Sequence, residues 1–271
     1  MLTTATVKHN CINFIFHVPK TGNLNFSMYF GMNLYLNTCK MNIAMKTTTI
    51  SILCFLLAIQ PVIGQSGLVI VREMKVYQKQ IAVDPSMEMV DLEQYIPGIK
   101  TDIRYATKNN FTKQVIYTQP KAFARKPVAL ALRAVQDSLA KLGLGLLVFD
   151  AYRPYAATVR LFEIYPHPGF VADPAKGSRH NRGCAVDISL IELKTGKELN
   201  MPTEFDDFSE RAHPHYMKLP AEAIKNRKFL FDIMDHFGFD YLSTEWWHFD
   251  FRGWEKFPLM DISFELLEGG N

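Results

Sequence analysis

Two short segments in the second half of the chain contain the residues that a metal site requires. The first, SRHNRGCAVD, holds His180 and Asp187, and the second, EWWH, holds Glu245 and His248. Neutral imidazole and carboxylate groups suit Zn²⁺, three protein ligands leave a fourth position for water, and a further acidic group can carry that water's proton. The fold must therefore bring two distant segments together, and the expected product is a catalytic zinc site.

The spacing within each segment predicts strands and loops rather than a metal-binding helix. The paired residues are seven apart in the first segment and three apart in the second, whereas a helix presents metal ligands four apart, as in H-E-x-x-H. Gly183 lets the chain bend after His180, and the mostly apolar run at residues 184–190 is typical of a buried strand. We expect His180 on the loop that enters this strand and Asp187 within it.

The second segment is predicted to form another strand. Residues 244–251 alternate so that Trp246, His248 and Asp250 share one face while aromatic side chains occupy the other. Glu245 lies at the strand entrance and is expected to lean toward the metal from a bulged or loop position. The alternative is that each histidine is a hydrogen-bonded core residue, the commoner case for a single histidine, but the joint pattern is far rarer.

The two segments carry the pattern S-x-H-x-x-G-x-A-x-D followed by E-x-W-H. This pattern resembles the zinc peptidases that act on D-alanyl peptides of peptidoglycan, a superfamily that also includes hedgehog signalling domains. Four further segments make the chain similar to the D-alanyl-D-alanine dipeptidase branch: IRYAT at 103–107, NNFT at 109–112, DAYRP at 150–154 and MPTEFD at 201–206. The resemblance runs from about Asp91 to Trp254 and covers nearly the whole domain.

The alternation of helical and strand patterns predicts an α+β fold. Its central, mostly antiparallel sheet carries the metal and is flanked by helices, which is also the fold that the resemblance implies. Predicted helices cover residues 87–95, 127–142, 154–165 and 220–237, predicted strands cover 98–105 and 146–149, and Thr195–Gly196 forms a hairpin turn.

The residues of the two segments have separate expected roles. His180, Asp187 and His248 hold one Zn²⁺ per chain. Glu245 acts as general base toward the attacking water and then as general acid toward the leaving amine. The alternative for Glu245 is a carboxylate outside the ligand set that orients one of the histidines.

Arg153 is the candidate for stabilising the negative charge of the tetrahedral intermediate. It follows a buried strand, and Pro154 stiffens the chain just after it. The resemblance assigns the matching arginine the same role. The alternative is a structural arginine that pairs with Asp150.

The resemblance also implies which residues hold the two charged ends of a free dipeptide. Asp206 and Tyr105 would meet the ammonium, whereas Ser178 and Tyr117 would meet the carboxylate. Without the resemblance, Asp206 is interpreted as an acidic residue near a helix N-cap and Tyr105 as a core residue.

Residues 1–64 are expected to lie outside the catalytic domain, which is assigned to residues 65–271. Residues 45–64 have the basic start, apolar core and small final residue of a signal peptide, and the apolar run is too short to span a bilayer comfortably. Cys54 lies inside that core in a poor lipobox, so a lipid anchor is disfavoured. Residues 1–44, which lack arginine, are interpreted as an artefact of start-site assignment rather than a targeting extension.

Charge and cysteine usage exclude two further features. The formal charge of +3 falls to −1 for residues 65–271, because residues 1–64 contribute four lysines and no acidic residue. No basic surface for nucleic acid is implied. Cys184 is the one cysteine of residues 65–271, so a disulfide within the domain is impossible. Its place on an apolar strand favours a buried small hydrophobe over a metal ligand.

Together these features predict an exported zinc dipeptidase that cleaves D-Ala-D-Ala, a small dipeptide substrate. It is expected in the periplasm or at the cell surface, without stable membrane insertion after signal removal, or in the cytoplasm if the signal peptide is absent. The alternatives are a D-Ala-D-Ala carboxypeptidase or a peptidoglycan endopeptidase with the same metal site. A hedgehog-like domain that binds zinc without catalysis is disfavoured, because Glu245 and Arg153 are both present.

Overall fold

A computed structural model describes residues 6–9, 12–15, 67–167 and 169–270 of the 271-residue chain. The chain divides into two units, residues 1–61 and residues 62–271. In the first unit, β1 (Thr6–His9) pairs antiparallel with β2 (Ile12–Ile15). The predicted signal peptide, including Cys54, and most of the predicted upstream extension lie outside the described residues.

The second unit alternates strands and helices along the chain. Its elements are β3 (Ile70–Val71), α1 (Met74–Val83), β4 (Met89–Asp91), α2 (Leu92–Tyr95), β5 (Lys100–Thr101), β6 (Phe123–Arg125), α3 (Lys126–Ala140), β7 (Leu144–Asp150), α4 (Tyr155–Ile164), β8 (Ala185–Glu192), α5 (Ala221–His236), β9 (Phe239–Leu242), β10 (Glu245–Phe251), β11 (Leu259–Met260) and α6 (Phe264–Gly269). Among the described residues, no helix has the length and apolar character needed to cross a membrane.

The main sheet has five strands in the order β5-β7-β8-β10-β9. The short β5 runs parallel to β7, and the other three neighbouring pairs are antiparallel. Helix α3 packs against β7 and α5 packs against β9. The prediction of an α+β fold with a mostly antiparallel central sheet is therefore confirmed.

The central strand β8 is buried along nearly its whole length, because it has a strand on either side and packed side chains on both faces. Helix α3 shows how the sequence covers the sheet. Its buried side chains Val128, Leu132, Val135 and Leu139 recur at helical spacing and form one apolar stripe.

Most predicted elements are found close to their expected bounds. Helix α3 starts with Pro127 in its first turn, and Gly143, with a φ of 73°, follows its end. Helix α5 ends just before Gly238, whose φ of 91° suits glycine. The predicted hairpin turn is also present, since the backbone N–H of Gly196 donates to the Glu192 carbonyl at 2.8 Å.

Two predicted elements are only partly correct. The helix expected over residues 87–95 is divided into β4 and α2, because Asp91 caps α2 by accepting from the Glu93 N–H at 3.0 Å while β4 pairs with β6. The strand expected over residues 98–105 is restricted to β5. Beyond it the chain forms a single 3₁₀ turn at Arg104–Ala106, which carries Tyr105 to the site described below.

Gly183 lies between a short 3₁₀ turn, His180–Arg182, and β8, and it has a φ of 69°. A Cβ added there would lie 2.7 Å from Met89 Cε and 3.3 Å from the Arg125 backbone nitrogen. The bend that the sequence predicts after His180 therefore requires glycine for two reasons, its backbone conformation and the close approach of a neighbouring segment.

We expect Gly183→Ala to destabilise the fold more than Gly196→Ala does. Both positions have left-handed backbone, which costs a non-glycine residue about 1–2 kcal/mol. Gly196 has no atom within 4 Å of its added Cβ, whereas overpacking at Gly183 adds about 1–3 kcal/mol. Urea unfolding of the two variants measures the difference, and equal losses would show that the close approach at Gly183 is relieved without strain.

Candidate active site

One cavity of about 320 Å³ lies where the turn before β8 meets the start of β10. Its polar lining comes from five parts of the chain that are distant in sequence. The lining includes Tyr105, Arg153, Ser178, Arg179, His180, Asp187, Asp206, Glu245 and His248, together with aromatic residues such as Phe111, Phe170 and Phe208. Eight of the nine candidate site residues named from the sequence are therefore brought to one place.

Strand pairing assembles the three expected metal ligands. His248 on β10 lies directly opposite Asp187 on β8, and His180 comes from the turn that enters β8. His248 Nδ1 lies 3.0 Å from Asp187 Oδ1 and 3.2 Å from His180 Nε2, and His180 Nε2 lies 3.4 Å from Asp187 Oδ1. All three residues are buried, and the cluster can hold a metal ion.

Each histidine makes a hydrogen bond that leaves one ring nitrogen free for the cluster. His180 Nδ1 lies 2.7 Å from the Ala151 carbonyl oxygen. A carbonyl only accepts, so Nδ1 carries the hydrogen and Nε2 presents its lone pair to the cluster. For His248 the order is reversed, because Nε2 lies 3.0 Å from Asp250 Oδ1 and Nδ1 faces the cluster. With a metal bound, the two nitrogens that face the cluster would present their lone pairs to it while the outer nitrogens keep their hydrogen-bond partners.

Asp187 is held as the anionic ligand. Burial alone would raise the pKa of its carboxyl group, but the adjacent His180 and His248 together lower that pKa well below its usual range.

Cys184, three residues before Asp187, is buried and is not part of the cluster. Burial raises the pKa of its thiol to about 12, so the prediction of a buried small hydrophobe is confirmed.

Glu245 reaches the cluster through an irregularity in the strand. The pairing of β10 with β9 shifts register between Glu245 and Phe249. Residues three apart on a regular strand point to opposite faces, and this irregularity lets Glu245 and His248 approach each other. Glu245 Oε2 lies 4.0 Å from His248 Nδ1. Burial, with the Asp187 charge in addition, raises the pKa of Glu245 to about 7 against the opposing effect of His248. The carboxyl group can thus take up and release a proton near neutral pH.

Arg153 lines the cavity and also makes the contact that its structural interpretation predicts. Its Nε and Nη2 donate to Asp150 Oδ2 at 3.0 Å and 2.7 Å. The hydroxyl of Tyr117 donates to the other carboxylate oxygen of Asp150 at 2.8 Å. The Asp150 carboxylate therefore fixes the orientation of the Arg153 guanidinium without removing it from the cavity.

Three of the four residues assigned to substrate by resemblance line the cavity. The Tyr105 hydroxyl donates to Asp206 Oδ1 at 3.1 Å, and Asp206 has a left-handed φ of 63°. The Asp206 Oδ2 atom is buried without a hydrogen-bond partner among the described residues, and burial raises the pKa of Asp206 to about 8. Ser178 Oγ accepts from the His180 backbone N–H at 3.2 Å.

Tyr117 is the exception. It does not line the cavity, and its hydroxyl is occupied by Asp150, so the geometry does not place it against a substrate carboxylate. It instead supports the residue that orients Arg153. The sequence could not distinguish a Tyr117 that contacts the substrate from one that contacts Asp150, since both arrangements put the tyrosine hydroxyl near a charged group.

Comparison with known proteins agrees with this arrangement. A family model described as D-ala-D-ala dipeptidase matches residues 85–260, which include every site residue named above. The chain belongs to the D-Ala-D-Ala dipeptidase family.

Two relatives show how much of the chain this family accounts for. The D-alanyl-D-alanine dipeptidase of Escherichia coli (strain K12) is 38% identical over 66% of this chain and 93% of its own length. The D-alanyl-D-alanine dipeptidase of Enterococcus faecalis (strain ATCC 700802 / V583) is 33% identical over 58% of this chain and 88% of its own length. A solved structure, VanYB in complex with D-alanine-D-alanine, matches 57% of this chain and 82% of the VanYB chain. The sequence identity is 15% and the TM-score is 0.35, a similarity too low to support an argument.

The structure adds two groups to the dipeptidase site that were not assigned roles from the sequence. Asp250 contacts His248, and the Ala151 carbonyl contacts His180. Asp150, predicted from the sequence as the partner of a structural Arg153, also orients that arginine where it lines the cavity. The alternation along β10 signalled that Asp250 shares a face with His248. A backbone carbonyl leaves no such signal, because any residue type supplies one.

Proposed function

We propose that this chain is a zinc-dependent dipeptidase that hydrolyses D-Ala-D-Ala to two molecules of D-alanine. The observation that carries the proposal is the buried His180, Asp187 and His248 cluster with the Glu245 carboxyl group beside it, in a chain of this family. A buried carboxyl group beside the cluster with a pKa raised to about 7 suits proton transfer at neutral pH.

The donor set fits zinc. Two ligands held roughly 2.0–2.1 Å from a tetrahedral ion lie about 3.3 Å apart. The three ligating atoms here are separated by 3.0, 3.2 and 3.4 Å. Two neutral imidazoles and one carboxylate are ordinary zinc ligands, and a set of three leaves room for water or substrate. When bound, zinc would lower the pKa of water and polarise the scissile carbonyl.

Glu245 moves the proton in the proposed reaction. Its carboxylate takes a proton from the attacking water and returns it to the amine of the departing D-alanine. Burial supports both halves of this cycle, because a pKa of about 7 makes the group a usable base and a usable acid at neutral pH.

Arg153 stabilises the negative charge that develops on the carbonyl oxygen. Its guanidinium is buried, fixed by two hydrogen bonds to Asp150, and still lines the cavity. A preoriented cation in a water-poor site stabilises a transition state more than a mobile one does. Tyr117 contributes by holding the second oxygen of Asp150.

The charged ends of the dipeptide are assigned to Asp206 and Ser178, which both line the cavity. Asp206, whose pKa of about 8 would fall beside a bound cation, accepts the ammonium, with its unpartnered Oδ2 supplying the acceptor and Tyr105 orienting the carboxylate. Ser178 lies beside the carboxylate end. A site that holds both ends requires a free dipeptide, whereas a carboxypeptidase or endopeptidase must leave the amino side open.

Export is a second part of the proposal. It is supported by the basic start and apolar run of residues 45–64, as expected for a signal peptide. Cell fractionation checks it, with the protein expected in the periplasm or at the cell surface.

A chain that begins at Gln65 is expected to fold and bind one equivalent of zinc, because every proposed ligand lies downstream. Metal analysis after reconstitution measures the stoichiometry. Simultaneous change of His180, Asp187 and His248 to alanine should abolish binding, and Cys184→Ala should leave it unchanged. Zinc retained by the triple variant would place the metal elsewhere.

The direct test of the proposed activity is to incubate the zinc-loaded protein with D-Ala-D-Ala and, separately, with L-Ala-L-Ala. Release of D-alanine from the first and no cleavage of the second is expected. Removal of zinc with a chelator should stop the reaction, and added zinc should restore it. Equal cleavage of the two dipeptides would argue for a general dipeptidase.

A further inference from the structure

The ring nitrogen of His248 that does not face the metal cluster has a carboxylate partner. His248 Nε2 lies 3.0 Å from Asp250 Oδ1. An ionised carboxylate only accepts, so Nε2 carries a hydrogen, and Nδ1 is the nitrogen that would offer a lone pair to a bound metal. The two residues lie two apart on β10, so their side chains project from the same face of the strand.

We propose that Asp250 is a positioning residue for the metal site, fixing both the tautomer and the ring orientation of His248. The inference deepens the proposed function and rests on it for the presence of a metal. Ligating histidines in metalloproteins commonly donate their second N–H to a carboxylate, and loss of that partner weakens metal binding.

Asp250 is itself held from the other side. Arg179 Nε lies 3.6 Å from Asp250 Oδ2, and the Arg179 guanidinium stacks over the Trp254 ring with its Cζ 4.8 Å from the ring centroid. Arg182 lies over the same ring at 5.1 Å. In the strand register, Asp250 stands opposite Ala185, which leaves space for its side chain to turn toward His248.

The two histidines differ in how easily their orientation can be changed. His180 is oriented by a backbone carbonyl, that of Ala151, which no side-chain substitution removes. His248 depends on the Asp250 side chain. A single substitution at Asp250 therefore tests the orientation of one ligand while the remaining ligands stay in place.

The test is the zinc affinity of the full chain, measured by chelator competition. Asp250→Ala should weaken zinc binding about 10- to 100-fold. Asp250→Asn keeps an oxygen acceptor for the His248 N–H but removes the charge, so its loss should be clearly smaller. The matched control is Asp240→Ala on β9, because Asp240 stands opposite Asp250 in the sheet and pairs with Arg252 rather than with His248. It should bind zinc as the wild type does.

Three outcomes would overturn the proposal. These are wild-type affinity in Asp250→Ala, equal losses in the alanine and asparagine variants, and an equal loss in Asp240→Ala. The second outcome would show that charge alone matters, and the third that any nearby carboxylate has the same effect. Thermal unfolding of each metal-free variant establishes that a lost affinity does not come from a lost fold.

A measurement on the unaltered protein tests the same point without a variant. Nitrogen-15 NMR of the zinc-loaded chain should show two ligating histidines of opposite tautomer, one protonated at Nδ1 and one at Nε2. Two ligating histidines that are both protonated at Nδ1 would exclude the Asp250 contact. Zinc binding without cleavage of D-Ala-D-Ala would refute the proposed function alone, and an active wild type with one of the overturning outcomes would refute this inference alone.

Discussion

Glu245→Ala is expected to bind zinc as the wild type does and to lose nearly all turnover of D-Ala-D-Ala. General acid-base groups contribute roughly 10²- to 10⁴-fold to rate, or about 3 to 5 kcal/mol of barrier. The metal should remain because Glu245 is not one of the three clustered ligand atoms. Steady-state kinetics with parallel metal analysis measures both quantities.

Two further variants sharpen this result. Glu245→Gln keeps the shape of the side chain but cannot take a proton, so it should be as inactive as the alanine variant. Glu222→Ala removes an exposed carboxylate at the start of α5 and should have wild-type activity. Activity of Glu245→Ala within a few-fold of wild type would remove Glu245 from the mechanism and favour its interpretation as a carboxylate that orients a histidine.

The second large effect concerns the amino end of the substrate. The enzyme should cleave free D-Ala-D-Ala and ignore an N-acylated D-Ala-D-Ala peptide. Acylation removes the ammonium that favours the ionised form of the buried Asp206 and so abolishes the charged contact, which should weaken binding by on the order of 2 to 4 kcal/mol. The ratio of kcat/KM for the two substrates should therefore be about 30 to 1000.

Asp206→Asn should lower activity on the free dipeptide and reduce this ratio, because the variant no longer offers a charge to the ammonium. Asp207→Asn is the matched control, since among the described residues the side chain of the neighbouring Asp207 accepts only from the local Ser209 backbone N–H, and it does not line the cavity. Equal cleavage of the free and acylated substrates by the wild type would replace the dipeptidase with a carboxypeptidase. The roles of zinc and Glu245 would be unaffected.

The parts of the molecule that the sequence predicts are those with local signals. The expected metal ligands and the general base can be recognised because the spacing of His180, Asp187, Glu245 and His248 matches the pattern of the dipeptidase family. Helices α3 and α5 can be recognised by the prolines at their starts and the glycines after their ends. The bulge at Glu245 is also predictable, because Glu245 and His248 are three residues apart and would otherwise point to opposite faces of the strand.

The parts that the sequence does not predict depend on contacts between distant segments. Residues 87–95 have a helical pattern, but pairing of β4 with β6 takes three of them into a strand. The bond from Tyr117 to Asp150 joins residues 33 positions apart, and no local pattern distinguishes it from a contact with substrate. The left-handed backbone of Asp206 is likewise set by its surroundings, because aspartate adopts this conformation only occasionally.

Because His248 lies opposite Asp187, the metal site can form only when β10 pairs with β8 in the correct register. A slip of β10 by one residue against β8 would turn every side chain of β10 to the other face and carry His248 away from Asp187. Only the correctly paired sheet can then bind the ion, and the binding free energy is added to that register alone. A bound zinc ion would thus stabilise the correct strand register over the shifted one, so a single-residue insertion in β10 before His248 should abolish metal binding even where the sheet still forms.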